Sequence, residues 1–478
     1  MVKSFNATRK HLHDPIDFEA RLDAINEISN LPEKDFSDLP FWRTVLVNAM
    51  YLYQNIDDLS IQTATSRLII TIVKSIPPGS EAYQLLVKKI LLTQIRKMLK
   101  SRKEKLRFEF VNLLAALVRL FEDPEICSLK CLTDENIELD FFENVTHLQL
   151  HRRQRAFKRV AKAVEDREIR PATAERYIFP LALCTLLDPK LEKQTQLLTT
   201  ALDTVTAVAK CMSWSNFRRL LDLQLTLALR SGKEKESSKT SQKRNAEIES
   251  KMTIKIICRL LASIHWPIET LDEHFRKTVN QFSRASTLTI EHIREFEQIQ
   301  LDKTPTDQLE TVVEIDGKTG MEIEEAPEAD LDQEMGEEEI QDDEEEITEN
   351  KHSVEVLKKV YTHLHLAIRP KLAKLITPKP KEAGVDQEKA IHTPLAAALI
   401  NVLIKLGPEC IRSYCPSVIL KLVDMLRSRE FSQREIARKA LVSAFNSLGD
   451  SWFGMFLDEL KLSCKNGVSG IRQNIQHF

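Results

Sequence analysis

Two stretches near the C-terminal end of the sequence decide the fold: Ala398-Leu399-Ile400-Asn401-Val402-Leu403-Ile404-Lys405-Leu406-Gly407 and, 42 residues further on, Ala440-Leu441-Val442-Ser443-Ala444-Phe445-Asn446-Ser447-Leu448-Gly449. Apolar residues fall at matching positions in both, and both end in glycine. Many helices end at a glycine in the left-handed conformation. The match continues beyond the glycine, where Ile411, Tyr414 and Val418 align with Phe453, Phe456 and Leu460. Each unit is therefore predicted to be a helix, a glycine stop and a second helix.

This repeat indicates a solenoid. A two-helix unit of about 40–47 residues is typical of HEAT and armadillo arrays. One pair of helices cannot bury its apolar face alone, so neighbouring pairs must stack. A weaker echo at an offset of 45 aligns Leu68 and Ile72 with Leu113 and Leu117. An ordinary helical bundle would show the same local periodicity, but the matched glycines favour the repeat.

The composition also indicates an all-α chain. Glycine accounts for only 11 of 478 residues, against a usual share of about 7%, and the hairpin turns of sheet proteins depend on it. Asp14 is predicted to cap a first helix, the spacing of Ser432 and Glu435 predicts another helix start, and 231–250 is predicted to be a loop. Apolar periodicity predicts helices near 40–54, 59–76, 81–100, 104–121, 146–165, 172–187, 193–211, 214–230 and 251–265, and a long one from 353 that ends or kinks at Pro370.

Charge is strongly segregated along the chain. The segment 314–349 holds eighteen Asp or Glu and one Lys, which leaves 67 basic and 53 acidic residues elsewhere, an excess of fourteen positive charges. An acidic segment poor in aromatic residues cannot bury enough apolar surface to fold alone, whereas a basic body attracts polyanions. We therefore predict an N-terminal α-solenoid segment at 1–302, a disordered acidic linker at 303–352 and a C-terminal α-solenoid segment at 353–478.

Two basic clusters are candidate contacts for RNA phosphates. Residues 152–162 hold six Lys or Arg in eleven positions. Helical spacing places 152, 155 and 159 on one face, where they could neutralise phosphates without reading sequence. The alternatives are a solvated helix face or an intramolecular contact with the acidic segment. The candidate residues are Arg152, Arg153, Arg155, Lys158, Arg159 and Lys162, together with Arg96, Lys97, Lys100, Arg102 and Lys103 in the first cluster.

No pattern in the sequence predicts catalysis or a cofactor. Cys127, Cys131, His147 and His151 have a spacing close to that of a two-Cys, two-His zinc finger, but the intervening residues lack the usual turn, so chance spacing is the favoured interpretation. No nucleotide-binding fingerprint or nucleophile elbow is present, and no apolar run approaches the roughly 18 residues that span a bilayer. We predict no enzyme activity, no cofactor, no small-molecule substrate and no membrane contact.

Three segments resemble a known family. Asp140 to Lys162, with Phe141-Phe142-Glu143-Asn144 and His147-x-x-x-His151-Arg152-Arg153, resembles the down-regulated-in-metastasis family, whose members are very large HEAT-repeat scaffolds of the small-subunit processome. Residues 13–28 and 427–461 are similar to further parts of that family. Its members are several times longer, which suggests that this chain is an internal piece, a truncated gene model or a reduced form, and the tail after Lys461 departs from the family pattern.

The resemblance implies a non-catalytic scaffold in ribosome biogenesis, placed in the nucleus and nucleolus. It further implies that the scaffold supports pre-ribosomal RNA processing, with pre-ribosomal RNA and small nucleolar ribonucleoproteins as partners. The alternative is a protein-interaction solenoid, comparable to a transport-receptor adaptor, with no direct RNA contact.

Overall fold

The computed structural model describes residues 2–8, 17–31, 34–231, 240–285, 353–376, 393–426, 428 and 431–465. Every regular element in these residues is helical, which confirms the predicted all-α class. The expected linker at 303–352, the residues Asp14 and Pro15 and the tail beyond Lys465 lie outside the described residues. The predicted three-part domain division therefore stays a prediction.

The helical elements follow one another with short connections. In the first part of the chain they are Val2–Asn6, Phe18–Ser29, Leu39–Asn55, Leu59–Ser75, Tyr83–Leu92, Thr93–Met98, Glu104–Leu120, Cys127–Leu132, Phe141–Val145, Leu150–Glu165, Pro171–Thr173, Ala174–Ile178, Phe179–Leu186, Pro189–Leu191, Thr195–Cys211, Trp214–Ser231, Thr240–Ala262, Ile268–Thr270 and Glu273–Ala285. In the last part they are Val354–His363, Leu364–Ile368, Arg369–Ile376, Pro394–Leu406, Pro408–Met425, Phe431–Leu448, Asp450–Trp452 and Phe453–Lys465.

Three aspartates begin the first three α-helices. Side-chain oxygens of Asp17, Asp38 and Asp58 each accept a hydrogen bond from the backbone N–H three residues later, at 3.2, 3.1 and 2.9 Å. Such caps satisfy N–H groups that have no partner within the helix. Asp17, and not Asp14, therefore caps the first of these helices, so that detail of the sequence prediction is wrong.

Two other expectations are corrected. The helix predicted from 251 begins at Thr240, so the predicted loop at 231–250 is helical from 240 onward. Residues 240–250 include Gln, Lys, Arg and Glu, which are good helix formers. Of the two outcomes predicted at Pro370, an end or a kink, the end is wrong, because an α-helix runs from Arg369 to Ile376. A wide π-helical turn, Leu364–Ile368, precedes this proline; because proline lacks an N–H and its ring crowds the carbonyl four residues back, a widened turn lets the helix continue.

The structure divides into two compact units. One contains residues 1–212 and 226–264, and the other contains 213–225 and 265–478. In the first unit, Leu59–Ser75 and Glu104–Leu120 have equal lengths, start 45 residues apart and pack against each other, as the weaker echo predicted.

The second unit contains the predicted repeat. Pro394–Leu406 packs against Pro408–Met425 and against Phe431–Leu448, while Pro408–Met425 packs against Phe453–Lys465. Like helices of the two repeats therefore stack, as a solenoid requires. Gly407 and Gly449 have φ of 110° and 73°, which confirms that both glycines stand where a left-handed residue is needed.

One cap in this repeat differs from the prediction. The helix begins at Phe431, so Ser432 lies within its first turn instead of before it. Ser428 contacts this end of the helix: its hydroxyl donates to the Gln433 side chain (2.7 Å), and its carbonyl accepts from Arg434 (2.9 Å).

The basic helix, Leu150–Glu165, is central to the first unit. It packs extensively on Thr195–Cys211 and also contacts Phe141–Val145. Phe157 and Val160 are fully buried, and Val164 nearly so. The buried side of the helix is thus fixed, which determines which of its cations can face solvent.

Candidate nucleic-acid interface

A buried aspartate organises the segment before the basic helix. Asp140 Oδ1 accepts a hydrogen bond from the backbone N–H of Glu143 (3.1 Å). Asp140 Oδ2 accepts from Arg119 Nη2 (2.9 Å) and from the backbone N–H of Asp134 (3.1 Å). The two phenylalanines that follow Asp140 are buried, with ring centroids 5.3 Å apart. Asp140 therefore starts a short helix and at the same time ties the preceding loop to it.

Asn144 fastens the same loop from the other side. Its Nδ2 donates to the backbone carbonyls of Ile137 (3.2 Å), Glu138 (2.9 Å) and Asp140 (2.5 Å). Its Oδ1 accepts from Arg152 Nε (2.7 Å). A buried side chain that satisfies this many carbonyls fixes the backbone of the loop.

Arg152 and Arg159 of the basic helix reach back to the same region. Arg152 Nη1 lies 3.0 Å from His147 Nε2. Arg159 donates to the backbone carbonyls of Cys131 (2.9 Å) and Leu139. Both arginines are half-buried, so much of their hydrogen-bonding capacity is used within the chain. We call the bonds made by Asp140, Asn144, Arg152 and Arg159 the clasp.

Arg153 faces the core of the unit. It is only 8% exposed, and its Nη1 lies 3.1 Å from Glu104 Oε1. Its Nε donates to the carbonyl of His147 (2.6 Å), and its guanidinium lies 4.9 Å from the ring centroid of Phe108. A buried guanidinium with a carboxylate partner and an aromatic neighbour stabilises the fold instead of meeting a ligand.

The remaining basic residues of the helix form an exposed stripe. The stripe consists of His151, Arg155, Lys158 and Lys162. Because these residues are spaced four, three and four positions apart, they lie on one side of the helix. The stripe is about 16 Å long at 1.5 Å per residue. Arg155, Lys158 and Lys162 have no ion pair within the described part of the chain. The sequence placed Arg152, Arg155 and Arg159 on one face. Of these three, only Arg155 is exposed, since the other two are half-buried.

His147 shows the effect of this charge density. Its pKa is lowered, first by desolvation and then by the positive charges of Arg152, His151 and Arg153. A lowered pKa favours the neutral imidazole at pH 7, and a neutral ring nitrogen can accept a hydrogen bond from Arg152.

The first cluster surrounds the turn between Thr93–Met98 and Glu104–Leu120. Arg96 lies 3.1 Å from Glu125, and Arg102 lies 3.5 Å from Glu249. Four predicted contact residues at this turn are exposed: Lys97, Lys100, Arg102 and Lys103. Arg96 is half-buried in its ion pair, so its charge is less available to a ligand than the charges of the exposed cations.

The spacing that resembles a zinc finger does not form a cluster. Among the residues described by the structure, no group of three or more His, Cys, Asp or Glu is arranged to hold a metal ion. His151 is exposed and belongs to the stripe. Burial raises the pKa of the Cys131 thiol, and a raised pKa disfavours the thiolate that binds zinc.

A cysteine, a histidine and an asparagine meet in the second unit, and no sequence motif predicted this group. Cys410 Sγ lies 3.3 Å from Asn280 Oδ1 and 3.6 Å from His365 Nε2, and His365 also bonds Asn280. These residue types serve nucleophilic catalysis in some hydrolases. Cys410 and His365 have no exposed surface, so a substrate cannot reach the thiol and the group is a buried polar network.

The clasp was not predicted from the sequence, because its bonds connect residues spread from 119 to 159 and no short motif joins them. The one available signal was the polar and aromatic run Asp140 to Asn144.

Within the described residues, the helices lack the length and apolarity that crossing a bilayer requires.

The chain matches two family models. Residues 1–103 match the N-terminal model of U3 small nucleolar RNA-associated protein 20, and residues 382–470 match the U3 small nucleolar RNA-associated protein 20 domain. Both segments are therefore similar to this family. The resemblance expected from the sequence is thereby confirmed, and the clasp and the stripe lie between the two matched segments.

Curated relatives match across the chain but are much longer. The chain is 22% identical over 473 residues to U3 small nucleolar RNA-associated protein 20 of Schizosaccharomyces pombe, which covers 98% of this chain and 16% of the relative. The protein of the same name from Saccharomyces cerevisiae is 22% identical over 479 residues, covering 98% and 15%. The chain thus spans about a sixth of the relatives' length.

One solved structure, of an engineered protein, is 12% identical and covers 93% of this chain and 97% of its own. Its TM-score is 0.20, which is too low to support an argument.

Proposed function

We propose that this chain forms part of a non-catalytic scaffold that supports pre-ribosomal RNA processing within the small-subunit processome, in the nucleolus. Similarity to these relatives supports the process, since they are named for their association with the U3 small nucleolar RNA. The stacked helix pairs of the second unit support the scaffold role, because solenoids offer extended surfaces to partners.

The stripe carries the proposed contact with RNA. Arg155, Lys158 and Lys162 project from a rigid helix whose opposite side is buried. Cations held in a row on a folded surface neutralise phosphates and release counterions, which gives affinity without reading the base sequence. The exposed cations of the first cluster, Lys97, Lys100, Arg102 and Lys103, are a second proposed contact. Arg152, Arg153 and Arg159 are assigned to the fold instead.

Charge reversal tests this contact. Arg155→Glu, Lys158→Glu and Lys162→Glu are combined in the full chain, and the affinity for a fluorescein-labelled RNA hairpin is measured by fluorescence anisotropy at low salt. We expect affinity to fall at least about tenfold, because three phosphate contacts are replaced by repulsion.

A matched control separates the stripe from net charge. Arg43→Glu, Lys74→Glu and Lys193→Glu reverse three exposed, scattered cations of the same unit, and this variant has the same net charge as the stripe variant. We expect it to retain affinity within about twofold. Equal losses in the two variants would mean that bulk charge, and not the stripe, binds RNA.

The scaffold role is tested in the native organism. When the stripe variant replaces the natural gene, small-subunit rRNA precursors should accumulate while the protein remains abundant. If the protein keeps its partners after ribonuclease treatment and processing is normal in the stripe variant, a protein adaptor with no RNA contact is the correct function.

A further inference from the structure

Beside the stripe, the clasp holds three large apolar side chains out in solvent. Ile137 is 65% exposed, Leu139 53% and Leu148 89%. Isolated exposed aliphatic residues are common on protein surfaces. All three are linked to the basic helix: Arg152 bonds the Ile137 carbonyl (3.2 Å) and the ring of His147, which precedes Leu148, and Arg159 bonds the Leu139 carbonyl.

The loop that carries them is fixed in place. The backbone N–H of Leu139 donates to the Asn136 carbonyl (2.8 Å), and that of Glu138 donates to the Asn136 side chain (2.9 Å). Asn144 donates to the carbonyls of Ile137 and Glu138, and Arg159 donates to that of Leu139. A loop this firmly held loses little conformational freedom when it binds a partner, which favours affinity.

Two carboxylates accompany the apolar side chains. Glu135 and Glu138 are exposed, and neither makes an ion pair with another residue of the described chain. We name Ile137, Leu139, Leu148, Glu135 and Glu138 the crest. The crest differs from the stripe, because its charges repel phosphate and attract cationic side chains.

We propose that the crest is a docking surface for a basic protein segment that carries aliphatic side chains between lysines or arginines. The aliphatic side chains pack on Ile137, Leu139 and Leu148, while the cations pair with Glu135 and Glu138. RNA is the disfavoured occupant, since it would bring phosphates against two carboxylates and leave the aliphatic surface uncovered. The proposal does not depend on RNA binding by the stripe, and failure of the RNA test leaves it standing.

Site-specific crosslinking tests the crest in the full chain. Leu148 is replaced by the photoreactive amino acid p-benzoylphenylalanine, and the control carries the same replacement at Leu59, which is 76% exposed and far from the clasp in sequence. The probes are a synthetic Leu/Lys peptide, a Leu/Glu peptide of the same pattern, a Ser/Lys peptide and the RNA hairpin. The readout is the yield of crosslinked product on a gel.

We expect the Leu/Lys peptide to crosslink at 148 at least about tenfold more than at 59, and more than the other probes do at 148. Ile137→Ser with Leu139→Ser should remove most of this yield. Glu135→Lys with Glu138→Lys should shift the preference toward the Leu/Glu peptide. Equal yields at 148 and 59, equal yields from Leu/Lys and Ser/Lys peptides, or preferential crosslinking of RNA at 148 would each overturn the proposal.

Discussion

One helix uses the same side-chain chemistry in two different ways on adjacent sides. Arg152, Arg153 and Arg159 turn inward, where they bond carbonyls or Glu104. Arg155 and Lys158 turn outward without a carboxylate partner in the described chain. A dense basic run is therefore not evidence of a polyanion partner over its whole length, because part of its charge holds the fold and only the remainder faces solvent.

The largest effect should come from the inward side. Arg153→Ala removes a buried guanidinium and leaves Glu104 and the His147 carbonyl without it, which should lower the free energy of unfolding by about 3 kcal/mol. Arg155→Ala, two residues away on the exposed side, should change it by less than about 0.5 kcal/mol. Urea unfolding followed by circular dichroism measures both free energies. Similar losses in the two variants would show that Arg153 stabilises the fold no more than Arg155 does.

The second unit offers a related case in which buried charge stabilises the fold. His363 Nε2 and Lys371 Nζ lie 2.9 and 2.6 Å from the two carboxylate oxygens of Asp222. Burial alone would raise the pKa of Asp222, but the bonds with His363 and Lys371 outweigh it and bring the pKa to about 2.

Because this pKa is lowered on folding, the carboxylate stabilises the protein above pH about 4 and the contribution is lost as the pH falls toward 2. Asp222→Asn should therefore cost about 2 kcal/mol at pH 7. The gap between the urea midpoints of the two proteins should narrow between pH 5 and pH 3. A gap that is constant with pH would show that the ionised carboxylate does not supply the stability.

A smaller effect is expected when one arginine of the clasp is removed. Arg159→Ala leaves the carbonyls of Cys131 and Leu139 without their donor, so the free energy of unfolding should fall by about 1 kcal/mol. The loop should also open more often, which hydrogen exchange detects as faster exchange of the Leu139 amide. Lys158→Ala is the control on the outward side, and it should leave that exchange rate unchanged.

The sequence was sufficient for the helices and the repeat because these depend on local signals. The spacing of Leu399, Leu403 and Leu406 and the stop at Gly407 are properties of the chain itself, and so is their return around Gly449. The continuation of a helix through Pro370 was not predictable in this way, because the wide turn that accommodates the proline depends on the surrounding packing.

The basic residues could be identified from the sequence, but which of them face the fold and which face solvent could not. Periodicity alone placed 152, 155 and 159 on one face. The inward turn of Arg152 and Arg159 follows from carbonyls at Ile137 and Leu139, which belong to a loop outside the helix. No property of residues 150–165 reveals where that loop lies, so the exposed stripe could be identified only once the loop was in place.

The salt dependence of RNA affinity tests the proposal that the outward stripe, and not the inward arginines, holds RNA phosphates. The logarithm of the association constant for the RNA hairpin is measured against the logarithm of salt concentration for the natural chain and for Arg155→Gln/Lys158→Gln/Lys162→Gln. Each lost phosphate contact lowers the slope by about 0.7 to 0.9, so the loss of three contacts should make the slope shallower by about 2 to 3, with unfolding unchanged. An identical slope in both proteins would contradict it.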